Sequence, residues 1–544
     1  MLVVAGVWWA ARVVYFNGYY AEDAPGYVSD AIAMASGHYA ARNHVNGLNV
    51  ATYGPVALFF WVFGKSEAVL SLWPLFCSLL GVVSIGGLSA ILFGRPLAIL
   101  AAFLYATYPG DVFFSTVVMP DAVQSGWLGF SMFLVVYACV ATPNGSPMWL
   151  VAAGAAMGVC HLVRANGALL LPVGACAVAV LSFVEGTQGT AATRERGVAP
   201  LVIRRCVTYV GGWVSILALE GVAYWWAVGD MLFRFHVVDH HYGQMGSIEQ
   251  WGLNTHPLTI PYSALAPLTW MRFGSWGELN QDQAYHALLF SWALLALAGG
   301  SVSLILARKR VPARAIAGYA VAAAWFAWPL LYHQFGSQSL TQFIPIHRLS
   351  RHLVVYAPGA IVVTVAGCLL MWNVAQAKAL RTALAAIALV ALPLHLHFGI
   401  RGETIAYEAY HRIKDTYTRI RDHLPSDTRV IVADPGDLGF FDFWLNPLGE
   451  ERVRLVAFAN YRDCAQLSEG VVLTFSNPGW HGLSAPAIQE TVARLPCLVN
   501  PPPTWRLLYD GFPERVYSAA PRDVTSSNLR MCTRPATSPT AIKG

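Results

Sequence analysis

Apolar residues fill the first 400 positions in long blocks separated by short polar stretches. A helix needs about 20 apolar residues to cross a bilayer. Blocks at about 1–16, 68–93, 97–118, 122–141, 149–163, 168–184, 207–229, 286–307, 315–333, 352–372 and 382–399 predict eleven spanning helices. The first block is apolar except for Arg12 and has no small-residue cleavage site, so it reads as a retained helix. Residues 53–63, Tyr-Gly-Pro-Val-Ala-Leu-Phe-Phe-Trp-Val-Phe, are too short to span and predict an interfacial segment or an extension of the second helix.

The pattern changes at Arg401. Beyond it come Pro/Gly turns and short β-rich runs: Arg429–Ala433, Val471–Phe475 and Trp505–Tyr509. Glu403–His423 has helical spacing of Ile and Tyr. The expected architecture is a polytopic α-helical module over 1–400, with outer loops 17–52, 230–285 and 334–351. A small extra-membrane α/β domain over 401–544 follows.

Composition supports a membrane setting. The chain of 544 residues is 56% hydrophobic and 12% charged, against about 25% charged in soluble domains. Its 19 Trp and 23 Tyr suit interfacial aromatic belts. Arg95, then Arg194, Arg196, Arg204 and Arg205, then Arg308, Lys309, Arg310 and Arg314, then Lys378 and Arg381 fall in alternate loops. With eleven spans all of them lie on one side, the cytoplasm by the positive-inside rule. Loop 17–52 and the tail then face outward, toward the periplasm of a bacterial inner membrane. Most of the net charge of +5 sits in a few loops and, without an RNA-binding motif, it gives no reason to expect nucleic acid. Of nine Cys, only Cys464, Cys497 and Cys532 lie in the tail. One disulfide is expected there, Cys464–Cys497 or Cys497–Cys532.

Candidate chemistry gathers on the outward side. The acidic pair Glu22-Asp23 follows the first apolar block, with Tyr27 and Asp30 just after. Ala31–Ala35 reads as a short helix stopped at Gly37. Tyr108-Pro109-Gly110-Asp111 falls near the end of the third span, and Met119-Pro120-Asp121 precedes the fourth, on the same outer side as Asp23. Asp23 and Asp121 at one membrane face could act as base and orienting partner or hold a divalent cation, Mg or Mn. The plainer readings are a solvated loop for the first and a helix N-cap for Asp121. His347-Arg348-Leu349-Ser350-Arg351-His352 and Arg164 place positive charge on the outer side, suited to a lipid phosphate or to bulk headgroups. His236, Asp239, His240 and His241 form a His/Asp cluster, with no His-x-x-x-His pair on a firmly predicted helix. Glu220 is an acid inside the seventh span, a functional signal by default. The chain has no GxxxxGK[ST] loop, dinucleotide fingerprint or GxSxG elbow, which disfavours a nucleotide-driven pump or a serine hydrolase.

In order and spacing these pieces resemble GT-C fold glycosyltransferases. The nearest branch is the protein O-mannosyltransferase and lipid A aminoarabinose or galacturonosyl transferase group. The resemblance rests on Asp23-x-x-x-Tyr27, Gly37-His38-Tyr39, Tyr53-Gly54-Pro55, Phe63–Glu67, Leu92-Phe93-Gly94-Arg95, Tyr108-Pro109, Met119-Pro120-Asp121 and Arg164-Ala165-Asn166-Gly167. It covers residues 1–185 by motif and 186–400 by topology. Many relatives carry Asp-Glu where this chain has Glu22-Asp23 followed by Ala24. The resemblance implies transfer of a sugar from a polyprenyl-phosphate carrier to a lipid, glycan or protein acceptor among the membrane lipids. It implies Asp23 as base, with Glu22 and Asp121 beside it. Arg348, Arg351 or Arg164 would hold the phosphate, and Tyr27, Tyr53 and His347 would lie toward the sugar or acceptor. A lipid or sugar transporter and a non-catalytic scaffold with an outer binding domain are the alternatives. Transporters concentrate polar groups at the midplane of repeats, whereas these gather at one face.

Overall fold

The computed structural model describes residues 1–18, 23–39, 41, 44–142, 146–188, 198–244, 282–307, 311–335, 354–375, 378–424, 426–432, 438–467, 471–475, 490, 493–510 and 514–518. The chain divides into two compact units, Met1–Tyr407 and Glu408–Gly544.

The first unit is helical. Its elements are α1 (Leu2–Val14), α2 (Ala24–Ala35), α3 (Val50–Phe63), α4 (Glu67–Phe93), α5 (Arg95–Ala106), α6 (Pro109–Phe114), α7 (Pro120–Val136), α8 (Pro147–Val163) and α9 (Leu171–Gln188). They continue as α10 (Val198–Val228), α11 (Phe233–Gln244), α12 (Asp282–Ala307), α13 (Ala313–Phe335), α14 (Ala357–Val374) and the part of α15 (Lys378–His423) up to Tyr407. Every apolar block read from the sequence contains helix among the described residues. Among the described residues, eight stretches are by length and composition long enough to cross a membrane. The other three blocks give the shorter apolar helices α1, α5 and α8.

Two boundaries differ from expectation. The block 97–118 is not one helix: α5 ends at Thr107, and Pro109 opens the short α6. Proline disfavours helical geometry in the residue before it, and Tyr108 is extended (φ −70°, ψ 117°). Residues 53–63 belong to α3, which is distinct from α4. Gly64 ends α3 at φ +79°, a conformation costly for any residue with a Cβ. Ser66 then caps α4 by accepting the Val69 N–H at 3.2 Å.

Small residues let these helices pack closely. A Cβ added at Gly154 of α8 would lie 1.9 Å from the Tyr209 carbonyl oxygen of α10. One added at Gly212 of α10 would lie 2.2 Å from that of Val151 in α8. The stretch 108–126, from the break into α7, is buried apart from no residue.

Within that interior Arg12 and Asp111 are paired. Arg12 of α1 donates to the Asp111 Oδ2 at 2.5 Å, to the Ser78 hydroxyl at 3.0 Å and to the Ala106 carbonyl at 2.9 Å. Tyr105 donates to the other Asp111 oxygen at 2.9 Å. Asp111 lies in the first turn of α6, directly after the break.

In the second unit, β1 (Thr428–Val432), β2 (Val453–Ala457), β3 (Val471–Phe475), β4 (Arg506–Asp510) and β5 (Glu514–Ser518) form one sheet in the order β2-β1-β3-β5-β4. β1 is parallel to β2 and β3, and β5 is antiparallel to β3 and β4. The helix α16 (Leu438–Leu445) packs on β2. The three expected strands are β1, β3 and β4. The helix expected at Glu403–His423 is the end of α15, continuous with the last apolar block. Of the two disulfides considered, Cys464–Cys497 is present.

Candidate active site

The first loop folds against itself around a short 3-10 turn, Val45–Leu48. Asp23 immediately precedes α2, whose Pro25 sits in the first helical turn. Asn46 donates its amide to Asp23 Oδ1 at 3.3 Å and accepts from the Tyr27 hydroxyl at 3.3 Å. Asn49 donates to the same Tyr27 oxygen at 2.9 Å. Tyr53 of α3 donates to the Gly47 carbonyl at 2.7 Å, and its hydroxyl meets that of Tyr39 at 2.7 Å. Tyr27 and Tyr53 are buried, and so is Asp30 on α2. The acidic loop is thus built around tyrosine and asparagine hydrogen bonds. Its helix begins at Ala24, earlier than the sequence pattern predicted.

A second cluster lies where α7, α8 and α9 meet. Met119 is extended, Pro120 opens α7, and Asp121 follows in the first turn, so the N-cap is Met119 and not Asp121. A carboxylate there is favoured by the positive helix end. Arg164, extended at the end of α8, donates to Asp121 Oδ1 at 3.1 Å. The carboxylate is fully buried, while Arg164 is 17% exposed. Asp121 Oδ2 is buried with no hydrogen-bond partner among the described residues. One turn on, Gln124 donates to Asn166 Oδ1 at 2.9 Å, a second tie between the same segments.

Glu220 of α10 pairs with Arg234 of α11 at 2.6 Å, and His161 of α8 lies 3.7 Å from its other oxygen. Arg234 also donates to the Leu48 carbonyl at 2.5 Å. Glu220 is therefore partnered inside the protein.

The His/Asp cluster lies on α11, a helix that the sequence pattern did not predict there, with His236 and His240 one turn apart. His236 Nδ1 lies 2.7 Å from Asp230 Oδ2. This hydrogen bond, helped by one from the Leu232 N–H, holds the Asp230 carboxyl below its ordinary value. Asp230, Phe233, His236, Val237 and His240 line a cavity of about 410 Å³ with Ala41 and Val228. Among the described residues, no group of three or more His, Cys, Asp or Glu is placed to hold a metal ion. Asp23 and Asp121 are held by different partners, Asn46 and Arg164. A cation on Asp121 would compete with the guanidinium.

Glu22, His347, Arg348 and Arg351 lie outside the described residues. Sequence reasoning missed Asn46, Asn49, His161 and Arg234. For Arg234 a signal existed: a lone acid late in a span, with an arginine just beyond that span's end.

Residues 55–190, which include Asp111, Asp121 and Arg164, match the family model of dolichyl-phosphate-mannose-protein mannosyltransferase. No curated protein matches the chain by sequence. Among solved structures, ArnT from Cupriavidus metallidurans bound to undecaprenyl phosphate is similar. Its TM-score is 0.54 at 13% identity, over 95% of this chain and 97% of that one. The apo state of the same ArnT gives 0.51 at 13% identity with the same coverage. The oligosaccharyltransferase of Archaeoglobus fulgidus, in complex with Zn and sulfate, gives 0.50 at 12% identity over 95% of this chain and 73% of that one. The resemblance read from the sequence, to GT-C glycosyltransferases, is borne out by the family match over residues 55–190 and by the ArnT-like fold of this multi-pass membrane protein.

Proposed function

We propose that this membrane glycosyltransferase moves a sugar from polyprenyl phosphate to an acceptor hydroxyl at the outer face of a bacterial inner membrane. The observation that carries this reading is the buried Asp121–Arg164 pair within the family-matched segment. The pair leaves one carboxylate oxygen without a partner among the described residues, and a sugar or acceptor hydroxyl can donate to it. Arg164 directs one N–H at Asp121 and keeps other donors of its planar fork for a phosphate. The ArnT structure holding undecaprenyl phosphate supports that ligand class.

In the proposed reaction Asp23 takes the proton from the acceptor hydroxyl as that oxygen bonds to the anomeric carbon. The bond from that carbon to the phosphate oxygen breaks, and polyprenyl phosphate leaves with the electron pair. Arg164, with Arg348 and Arg351, stabilises the developing phosphate charge. Glu22 and Asp121 assist as neighbouring carboxylates, and Tyr27, Tyr53 and His347 shape the acceptor side. The disulfide of the second unit supports an oxidising, outward location.

The test uses the purified full chain in nanodiscs, offered undecaprenyl-phosphate-linked mannose, glucose and aminoarabinose together with an envelope extract of lipids, glycans and proteins as acceptors, with release of undecaprenyl phosphate as readout. Release from at least one donor is expected. Asp23→Asn should slow it by about 10²–10⁴-fold. Equal release by Asp23→Asn would remove Asp23 from the chemistry, and no release from any donor by the wild-type chain would count against the reading itself.

A further inference from the structure

The ion pair between Glu220 and Arg234 reaches, through one backbone carbonyl, the turn that holds Asp23. Arg234 is 2% exposed, and its Nε and Nη2 both lie 2.6 Å from Glu220 Oε1. From there Nη2 also donates to the Leu48 carbonyl. Leu48 ends the 3-10 turn whose second residue is Asn46, a donor to Asp23. Leu48 packs with Tyr224 of α10 and Val237 of α11, and Phe233 and Val238 pack against that cluster. The turn is also gripped at Gly47 by Tyr53.

A charged pair buried in this way is weak evidence for stability, because desolvation opposes the attraction. What it fixes is geometry. The guanidinium is rigid and planar, so a carboxylate on one side sets the direction of the N–H aimed at Leu48. Without the pair, Leu48 keeps its apolar contacts but loses that directional tie. Asn46, two residues away, loses its fixed aim at Asp23.

We propose that Glu220 and Arg234 are positioning residues: through Leu48 and Asn46 they set the orientation of the Asp23 carboxylate. The catalytic consequence rests on the glycosyltransferase reading given above, but the geometric one does not.

Two readouts separate them. The first needs no substrate. The full chain in nanodiscs is treated with a water-soluble carbodiimide and glycine ethyl ester, and the modification rate of Asp23 is followed by mass spectrometry, with Asp442 as internal control. In Arg234→Gln and in Glu220→Gln the Asp23 rate should change several-fold while Asp442 stays constant. Arg234→Lys, which keeps one charged donor, should fall between. The second readout is release of undecaprenyl phosphate from the donor the wild-type chain uses. Loss of aim should lower kcat on the order of 10- to 100-fold with KM little changed. Glu220→Gln keeps the shape of the side chain, so it remains informative if Arg234→Gln fails to fold. Unchanged Asp23 reactivity and unchanged kcat in a folded variant would overturn the proposal. Altered Asp23 reactivity in a chain whose wild type releases no undecaprenyl phosphate would uphold the clamp and remove the transferase reading.

Discussion

Arg12 and Asp111, 99 residues apart, meet at 2.5 Å inside the first unit with 1% and 0% of their side chains exposed. Neither charge has bulk water to fall back on. Ser78 and Tyr105 complete the shell around the carboxylate, with the Ser78 hydroxyl 2.5 Å from Oδ2.

Removing one member leaves the other charged and buried. Arg12→Met or Asp111→Leu should therefore each cost about 3–5 kcal/mol. The double replacement Arg12→Met with Asp111→Leu should cost less than the two single changes added together. Thermal unfolding in detergent, arranged as a double-mutant cycle, measures this coupling. Additive losses would mean that the pair contributes nothing as a pair.

Arg164→Ala should weaken undecaprenyl phosphate binding by about tenfold or more, since an arginine–phosphate contact is charge-assisted and fork-shaped. Asp121→Asn should weaken it less, because its main loss is the orientation of Arg164. Titration of the lipid into nanodiscs, followed by native mass spectrometry, checks the ranking. Tighter binding in Arg164→Ala would contradict it.

The Asp230 carboxyl is held below its ordinary value of 3.8 by the His236 hydrogen bond. A depressed carboxylate stabilises the folded state above its unfolded pKa, and that contribution fades as pH falls through the folded value. The start of α11 should thus keep its Asp230–His236 contact at neutral pH and lose it only below about 3.8. Carbon NMR of the Asp230 carboxyl should show the midpoint moving up toward 3.8 in His236→Ala.

Cys464 and Cys497 are 33 residues apart in sequence, and their bond closes that loop. Replacing both by Ser should destabilise the second unit by about 2–4 kcal/mol. Limited proteolysis should then cut beyond Glu408 at lower protease concentration while Met1–Tyr407 stays intact. Equal resistance with and without the bond would show that the sheet needs no staple.

The helical module was legible because hydropathy marks apolar blocks directly. The break at Thr107–Pro109 was not, since Tyr105, Val112 and Phe113 on either side are equally apolar and the block reads as continuous. Loop parity put Asp121 and Arg164 on one side, and they do meet. Their contact itself could not be read, because a separation of 43 positions carries no record of which ends close on each other. Asp23 was visible as an acid after an apolar block. Asn46, its hydrogen-bond donor, looked like any polar loop residue, because an amide gains meaning only from what it faces.

Gly154 and Gly212 give the contact between α8 and α10 a meaning beyond packing. Each position has room for a hydrogen atom and little else. Those two hydrogens act as a gauge block between backbones whose helices carry His161 and Glu220 further along. A methyl group added at either would spread the helices and re-aim distant polar groups without touching one of them. Chemistry at the membrane edge is thus exposed to variation hidden among its least polar residues.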